Sequence, residues 1–111
     1  MPMLNVKCSK LLPDELLAEL SSAVAETIGK PEKYVMVVAE SADMLMSGEQ
    51  GDAAYAEVKS IGGLDRIVNH ELTIKICVLL NDHLGIPSDR IYVTFQSVAA
   101  DHWGWNQSIF G

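Results

Sequence analysis

The sequence contains few cysteines and histidines, and their spacing excludes the common metal and redox motifs. Cys8 and Cys77 are the only cysteines among 111 residues and form no Cys-x-x-Cys pair. Neither a zinc knuckle nor a thioredoxin-like motif can therefore be built from them. The three histidines show neither His-x-x-x-His nor His-x-His spacing. We expect no metal site, no cofactor, and two buried thiols in a reducing compartment.

An excess of positive charge and a long apolar run are also missing. The formal net charge is −7 at pH 7, so the overall field repels phosphate backbones and anionic membranes. No apolar run is long enough to cross a bilayer, and no charged-then-apolar leader opens the chain. We expect a soluble protein that begins at its own first residues and binds neither nucleic acid nor membranes.

An internal repeat divides the chain into two similar halves. At an offset of 56 residues, the segment from Gly29 to Val37 aligns with the segment from Gly85 to Val93, and apolar positions upstream also match. The length of 111 residues suits one domain with one core. Residues 1–111 are therefore predicted to form a single domain made of two copies of one unit.

Each copy has the pattern of a helix between two strands. Apolar residues at three- and four-residue steps predict helices over residues 14–28 and 68–84. Gly29 and Gly85 end these helices, each with a proline two residues later. β-branched and apolar runs predict strands over residues 3–8, 34–40, 54–61 and 90–97.

The order β-α-β-β-α-β predicts an α/β (α+β) protein, with one four-stranded sheet and both helices on one face. The run 35–39 is apolar without alternation, which is typical of a strand covered on both faces. Since the helices cover one side only, three such sheets closing into a trimeric barrel would cover the other. A monomer with an exposed apolar sheet face is the alternative.

Five short segments add a second line of inference. In chain order they are Met1-Pro2-Met3, Gly29-Lys30-Pro31 followed by Tyr34, Ser60-Ile61-Gly62-Gly63, the run from Asp89 to Val93, and the tail from Gly104 to Phe110. Together, on the β-α-β-β-α-β repeat, they resemble the macrophage migration inhibitory factor family of the tautomerase superfamily. The resemblance covers essentially the whole chain.

The resemblance implies a homotrimeric, cofactor-free enzyme that catalyses keto-enol tautomerisation of phenylpyruvate- or dopachrome-like keto acids. Its catalytic acid-base would be Pro2, exposed once Met1 is removed. An α-amine ordinarily titrates near ~8, and burial and a neighbouring cation such as Lys30 both lower that pKa. A base that titrates near the working pH is the efficient one.

The resemblance also implies the other site residues. Lys30 and the backbone N–H of Ile61 would bind the substrate carboxylate, and Tyr92 of a neighbouring subunit would bound the pocket. The remaining candidates are Met3, Thr94, Trp103, Trp105 and Phe110. Other interpretations stay open: Lys30 as a helix-end cation, Tyr92 as an ordinary strand residue, and the aromatic tail as a staple onto the next subunit.

Several positions depart from the family pattern. Ala53 and Ala56 replace a Cys-x-x-Cys of some members, so we expect no thiol oxidoreductase activity. Thr94 replaces an asparagine and Trp103 a small aliphatic residue, which leaves substrate preference open. A cytokine-like secreted binding protein with a receptor partner is the alternative function, and a hydrolytic relative is a weaker one. Family members leave cells without a signal peptide, so we expect a cytoplasmic or a secreted location.

Overall fold

Two β-α-β units follow one another along the chain, and a short hairpin comes after them. The structure, a computed structural model, describes residues 1–111. Its elements are β1 (Pro2–Cys8), α1 (Asp14–Ile28), β2 (Met36–Ser41), β3 (Ala54–Ser60), α2 (Arg66–Leu84), β4 (Ile91–Ser97), β5 (Gly104–Trp105) and β6 (Ser108–Ile109). The predicted helices and strands are confirmed to within about two residues at each end. The β5–β6 hairpin was not predicted.

The four long strands form one mixed sheet in the order β2-β1-β3-β4. Within each unit the two strands are parallel, because a helix connects them, whereas β1 and β3 pair antiparallel where the units meet. The predicted four-stranded sheet is thus confirmed. The amino-terminal strand, β1, lies in its interior, between β2 and β3.

Both helices end at glycines in the left-handed conformation. Gly29 has φ 77° and Gly85 has φ 68°, and each donates its N–H to a carbonyl of the preceding helical turn. A single 3₁₀ turn, Glu32–Tyr34 or Ser88–Arg90, then leads into the next strand. The two halves of the repeat therefore share their backbone path through the helix end, as their matching sequences predict.

The core lies between the helices and one face of the sheet. Burial alternates along β1, where Leu4 and Val6 are fully buried and Met3 is not, since successive strand residues point to opposite faces. Leu20 of α1 and Leu72 of α2 pack into the same cluster. One continuous core confirms that both helices cover the same face.

The outer face of the sheet, away from the helices, has an apolar surface mainly along β2. Met36 is 60% exposed there, and Val38 lies on the same side of the strand. The outer residues of β1 and β3 are mostly polar: Asn5, Lys7, Tyr55, Glu57 and Lys59. Within a single chain the run 35–39 is therefore covered on one side only. On that side Val37 packs against the core.

The two cysteines differ in their surroundings. Cys8 is buried in the core as predicted, but Cys77 is only partly buried, so the prediction of two buried thiols is half correct. Partial burial raises the pKa of the Cys77 thiol, and a hydrogen bond with Ser88 opposes that rise. Neither helix combines the length and the apolar composition that crossing a bilayer requires.

Candidate active site

Pro2 is held at the first position of an interior strand. It pairs with Ser60 of β3, and its side chain is fully buried on the helix side of the sheet. Ser60, also fully buried, points to the same side, because directly opposed residues of an antiparallel pair share a face. The fold therefore positions Pro2 through the β1–β3 register.

Ile61 follows Ser60 and lies next to the amino terminus. Its N–H donates a hydrogen bond of 3.3 Å to the carbonyl oxygen of Met1. Removal of Met1 would take this acceptor away and leave the Ile61 N–H free for another oxygen. In the structure, the Ile61 N–H is a backbone donor beside the amino terminus.

The turn after Ile61 is tight and depends on two glycines. Gly62 and Gly63 both have positive φ, 71° and 79°, which side chains rarely adopt. A Cβ at Gly63 would lie 2.7 Å from Cγ2 of Ile28, so the turn packs directly against the end of α1. Inside it, the hydroxyl of Ser60 donates a 2.7 Å hydrogen bond to the carbonyl of Gly62.

Lys30 reaches this turn from the end of α1. Its Nζ lies 4.0 Å from the position that a Cβ on Gly62 would occupy, and its Cε lies 3.4 Å from the corresponding position on Gly63. The side chain therefore runs along the glycine turn toward the amino terminus. The structure brings Pro2, Lys30 and Ile61 together within one chain.

The electrostatics of the amino terminus follow from this arrangement. The pKa of the Met1 α-amine lies below its ordinary value of 8.0, first because burial disfavours the charged form and second because Lys30 repels it. This effect concerns the amine of Met1, and the influence of Lys30 on a Pro2 amine stays a prediction.

Three aromatic side chains form a cluster at the carboxyl-terminal hairpin. Trp105 stacks on Phe110 at 5.9 Å between ring centroids and meets Tyr34 edge-on at the same separation. Nζ of Lys33 lies 5.0 Å from the centre of the Tyr34 ring, within cation-π range. The aromatic tail thus packs on Tyr34 of its own chain, which connects it to the segment that carries Lys30.

The contact of Tyr34 with the carboxyl-terminal tail was missed by the sequence reasoning. Tyr34 appears in the motif that follows Pro31, yet nothing in the spacing links it to a tail some 70 residues later. The counterpart of Tyr34 at the 56-residue offset is Arg90. This difference between the two halves was the signal in the sequence that could have drawn attention to Tyr34.

Trp103, another candidate, is partly buried, and its carbonyl accepts a hydrogen bond from the Phe110 N–H at 3.2 Å.

Tyr92 and Thr94 lie away from Pro2 within one chain. Ser97 pairs with Ser60, which in turn pairs with Pro2, so these three residues lie side by side across the sheet. Tyr92 precedes Ser97 by five residues, about 17 Å along the strand. Tyr92 is 66% exposed, and Thr94 hydrogen-bonds the Tyr55 hydroxyl at 3.0 Å on the outer face. Met3 also lies on that face, beside Lys59.

The candidate residues therefore form two separate groups. Pro2, Lys30 and Ile61 surround the amino terminus, whereas Tyr92 lies near the start of β4 and Thr94 at its middle, both on the outer face. The structure contains no cluster of three or more His, Cys, Asp or Glu side chains that could hold a metal ion. The chemistry available at the amino terminus is thus that of an amine, an ammonium group and a backbone N–H.

The β-α-β-β-α-β fold described above is that of one protein family. The sequence matches the family described as Macrophage migration inhibitory factor (MIF) over residues 1–111, and the chain belongs to this family. It is similar to macrophage migration inhibitory factor of Meriones unguiculatus, with 35% identity over 114 residues and 99% of each chain covered.

Solved structures of the same family show the same fold. The macrophage migration inhibitory factor homologue from Prochlorococcus marinus is 44% identical with a TM-score of 0.92, over 98% of this chain and 99% of that one. The Toxoplasma gondii protein is 30% identical with a TM-score of 0.93, over 97% and 99%. These similarities span the candidate site as well as the core.

We predict that Ser60→Ala lowers the free energy of unfolding by about 1 kcal/mol, because the turn that carries Ile61 loses its internal hydrogen bond. Denaturant unfolding measures the change. Ser41→Ala, at an exposed position of β2, is the matched control and should alter stability by less than about 0.5 kcal/mol. Equal effects of the two substitutions would contradict a specific role for the Ser60 hydroxyl.

Proposed function

We propose that this protein is a cofactor-free keto-enol tautomerase that acts on phenylpyruvate- or dopachrome-like keto acids with Pro2 as its acid-base. The observation that carries the proposal is the position of the amino terminus, next to Lys30 and to the N–H of Ile61. These groups supply a base of lowered pKa and two donors for an anion in one place. Membership of the family supports the same assignment.

The proposed reaction moves one proton between carbon and oxygen. After removal of Met1, the secondary amine of Pro2, in its neutral form, takes a proton from the carbon next to the substrate carbonyl. The enol forms when the carbonyl oxygen gains a proton, and the reverse direction uses the protonated amine as the acid. No electrons are transferred overall, so the reaction needs neither a metal nor a redox cofactor.

Lys30 and the Ile61 N–H are proposed to bind the substrate carboxylate. The Ile61 N–H donates to the Met1 oxygen before processing and then requires a new acceptor. Lys30 supplies a charge-assisted contact in a protein whose net charge of −7 would otherwise repel anions. Carboxylate binding next to the amine also holds the acidic carbon close to the base.

A homotrimer is proposed to complete the site. Tyr92 lies about 17 Å, and Thr94 about 10 Å, along the sheet from the level of Pro2, so one chain cannot bring Tyr92 and Pro2 to one substrate. A head-to-tail ring places the Tyr92 end of one chain beside the Pro2 end of the next, and a threefold axis closes it. Such a ring would also cover the outer face of β2 at Met36.

The aromatic residues are proposed to form the rim of the pocket. Tyr34, Trp105 and Phe110 already make one cluster, and Trp103 is tied to it through the Phe110 N–H. Met3 and Thr94 would contribute from the outer face of the sheet. A rim rich in flat rings suits a substrate that carries an aromatic ring.

A cytokine-like binding protein is the second candidate, and the names of the relatives favour it. The related proteins of Meriones unguiculatus and Xenopus laevis carry the name macrophage migration inhibitory factor. In this case the protein would be secreted and recognised by a receptor, and its pocket would have weak activity or none. Turnover of a keto acid by the processed protein separates the two candidates.

We predict that the protein sediments at three times the 12.1 kDa mass of one chain.

A mixture of Pro2→Gly and Tyr92→Ala subunits, each impaired alone, should regain activity after unfolding and co-refolding. A site is intact when the Tyr92→Ala chain supplies its Pro2 and an adjacent Pro2→Gly chain supplies its Tyr92. In an equal mixture, random assembly gives this combination at about a quarter of the sites. A monomer at micromolar concentration, or no complementation, would contradict the shared site.

Lys30→Ala is predicted to weaken the binding of a keto acid more than that of its methyl ester. The lost interaction is a charge-assisted contact worth about 1.5–3 kcal/mol, which the uncharged ester never makes. Competitive inhibition by an acid and its ester gives the two affinities. Lys75→Ala, which removes a lysine of α2 that hydrogen-bonds Thr27 away from the amino terminus, is the control. Equal losses for acid and ester would show that Lys30 only stabilises the end of α1.

Pro2→Gly is predicted to lower keto-enol turnover of phenylpyruvate by about 10²–10⁴-fold, the contribution of one positioned acid-base group. Glycine keeps an amine but loses the fixed direction of the pyrrolidine ring. Mass spectrometry must first establish that Met1 is absent from both proteins. Full activity of the variant would contradict the proposal, and so would an inactive wild type that starts at Pro2.

The pH dependence provides an independent check on the same base. Burial and Lys30 lower the pKa of the Met1 amine, and we expect both to act in the same direction on the Pro2 amine, which must be neutral to accept a proton. The rate should therefore rise with pH through a group whose pKa lies below that of an unburied terminal proline amine. In Lys30→Ala this rise should move to higher pH, since one of the two causes of the lowered pKa is gone.

A further inference from the structure

Helix α2 has two apolar faces, and the fold accounts for only one of them. Leu72, Ile76 and Leu80 are fully buried against the sheet. On its outer side, Ile67, Ile74 and Val78 are 77%, 50% and 49% exposed, and their spacing of seven and four residues places them along one stripe. A surface helix normally presents polar residues to water, so this second stripe requires another explanation.

Part of the stripe lines a groove between the two helices. The helices run antiparallel and are joined by the Glu19–His83 ion pair and by the hydrogen bond from Lys75 to Thr27. Between them lies a groove of about 520 Å³, which we call the α1–α2 groove. Its lining residues are Glu15, Ala18, Glu19, Ser22, Ala23, Glu26, Ile74, Lys75, Val78 and Leu79.

The α1 side of the groove is acidic and has little bulk. Helix α1 contains no lysine or arginine, and Glu15, Glu19 and Glu26 all lie on the groove. Ala18 and Ser22, one turn apart between these glutamates, leave room for a helix to approach closely. Lys75 is the one basic residue of the lining, and its ammonium group is occupied by Thr27.

We propose that the α1–α2 groove is a docking site for a basic amphipathic helix of a partner protein. The apolar stripe of such a helix would pack on Ile74 and Val78, and its lysines or arginines would pair with Glu15 and Glu26. From Glu15 to Glu26 the groove follows α1 for about 17 Å, the length of three helical turns. This length matches the helix-in-groove mode of recognition.

Charge complementarity selects this occupant over the alternatives. A second copy of the chain would bring another row of α1 carboxylates and a further net charge of −7, which opposes self-docking through this face. An anionic membrane surface is repelled for the same reason. The groove lies on the helix side of the sheet, whereas Tyr92 and Thr94 lie on the outer face, so the proposal does not depend on the proposed function.

The test uses a synthetic 18-residue peptide with leucines along one helical stripe and lysines elsewhere, labelled for fluorescence anisotropy. A peptide with glutamate in place of every lysine is the control. We expect the basic peptide to bind in the micromolar range and more weakly at higher salt, because exposed charges are screened. Amide chemical shifts of the protein should change along residues 15–26 and 74–79.

Matched variants separate groove docking from general attraction to an acidic protein. The double variant Ile74→Ser/Val78→Ser should weaken binding about tenfold, since it removes the apolar contact while leaving the charge unchanged. Glu15→Gln/Glu26→Gln should weaken binding and reduce its salt dependence. Leu11→Ser alters an 80% exposed apolar residue outside the groove lining and should have no effect.

Four outcomes would overturn the proposal. Equal binding of the peptide to the wild type and to Ile74→Ser/Val78→Ser would mean non-specific electrostatic attraction. Binding of the acidic peptide with similar affinity would remove the role of charge. Self-association of the wild type that disappears in Ile74→Ser/Val78→Ser would identify a second copy as the occupant, and binding of the wild type to neutral vesicles would identify a lipid surface.

Discussion

The antiparallel pairing of β1 with β3 is the constraint on which the candidate site depends. Because β1 is an interior strand, its first residue is held in register from the moment the sheet forms, with Pro2 opposite Ser60. A chain terminus normally frays, but here Pro2 is already fully buried between β2 and β3. The same pairing places Ile61 and the glycine turn one residue beyond Pro2, where Lys30 reaches them.

The two halves of the repeat share a backbone path and use equivalent positions for different purposes. Lys30 in the first half is partly exposed beside the amino terminus, whereas its counterpart Ile86 is fully buried. Tyr34 joins the aromatic cluster, whereas its counterpart Arg90 donates hydrogen bonds to the carbonyls of Met46, Glu49 and Asp52. In the first half these positions lie beside the amino terminus and under the aromatic tail, whereas in the second half they fill the core and bind a loop.

The separation of the candidate residues into two groups has a physical basis in the parallel pairing of β3 with β4. That pairing puts Ser97 level with Ser60, and therefore puts Tyr92 near the far end of the sheet. No rotation of side chains covers the ~17 Å between these levels. One chain therefore keeps the two groups of candidate residues apart, and a closed ring of identical chains is the geometry that would bring them together.

The sequence by itself determined the element order, the helix ends at Gly29 and Gly85 and the open outer side of the run 35–39, and it indicated Pro2, Lys30 and Ile61 as site candidates, because periodicity and turn residues act locally and the family motifs are short. It did not reveal Tyr34 as a partner of Trp105 or the second apolar stripe of α2 as part of a groove. These features depend on which residues meet after the sheet and helices have packed, and contacts between segments 50 to 70 residues apart leave no period in the sequence. Only the tertiary structure decided them, since register and helix packing set those distances.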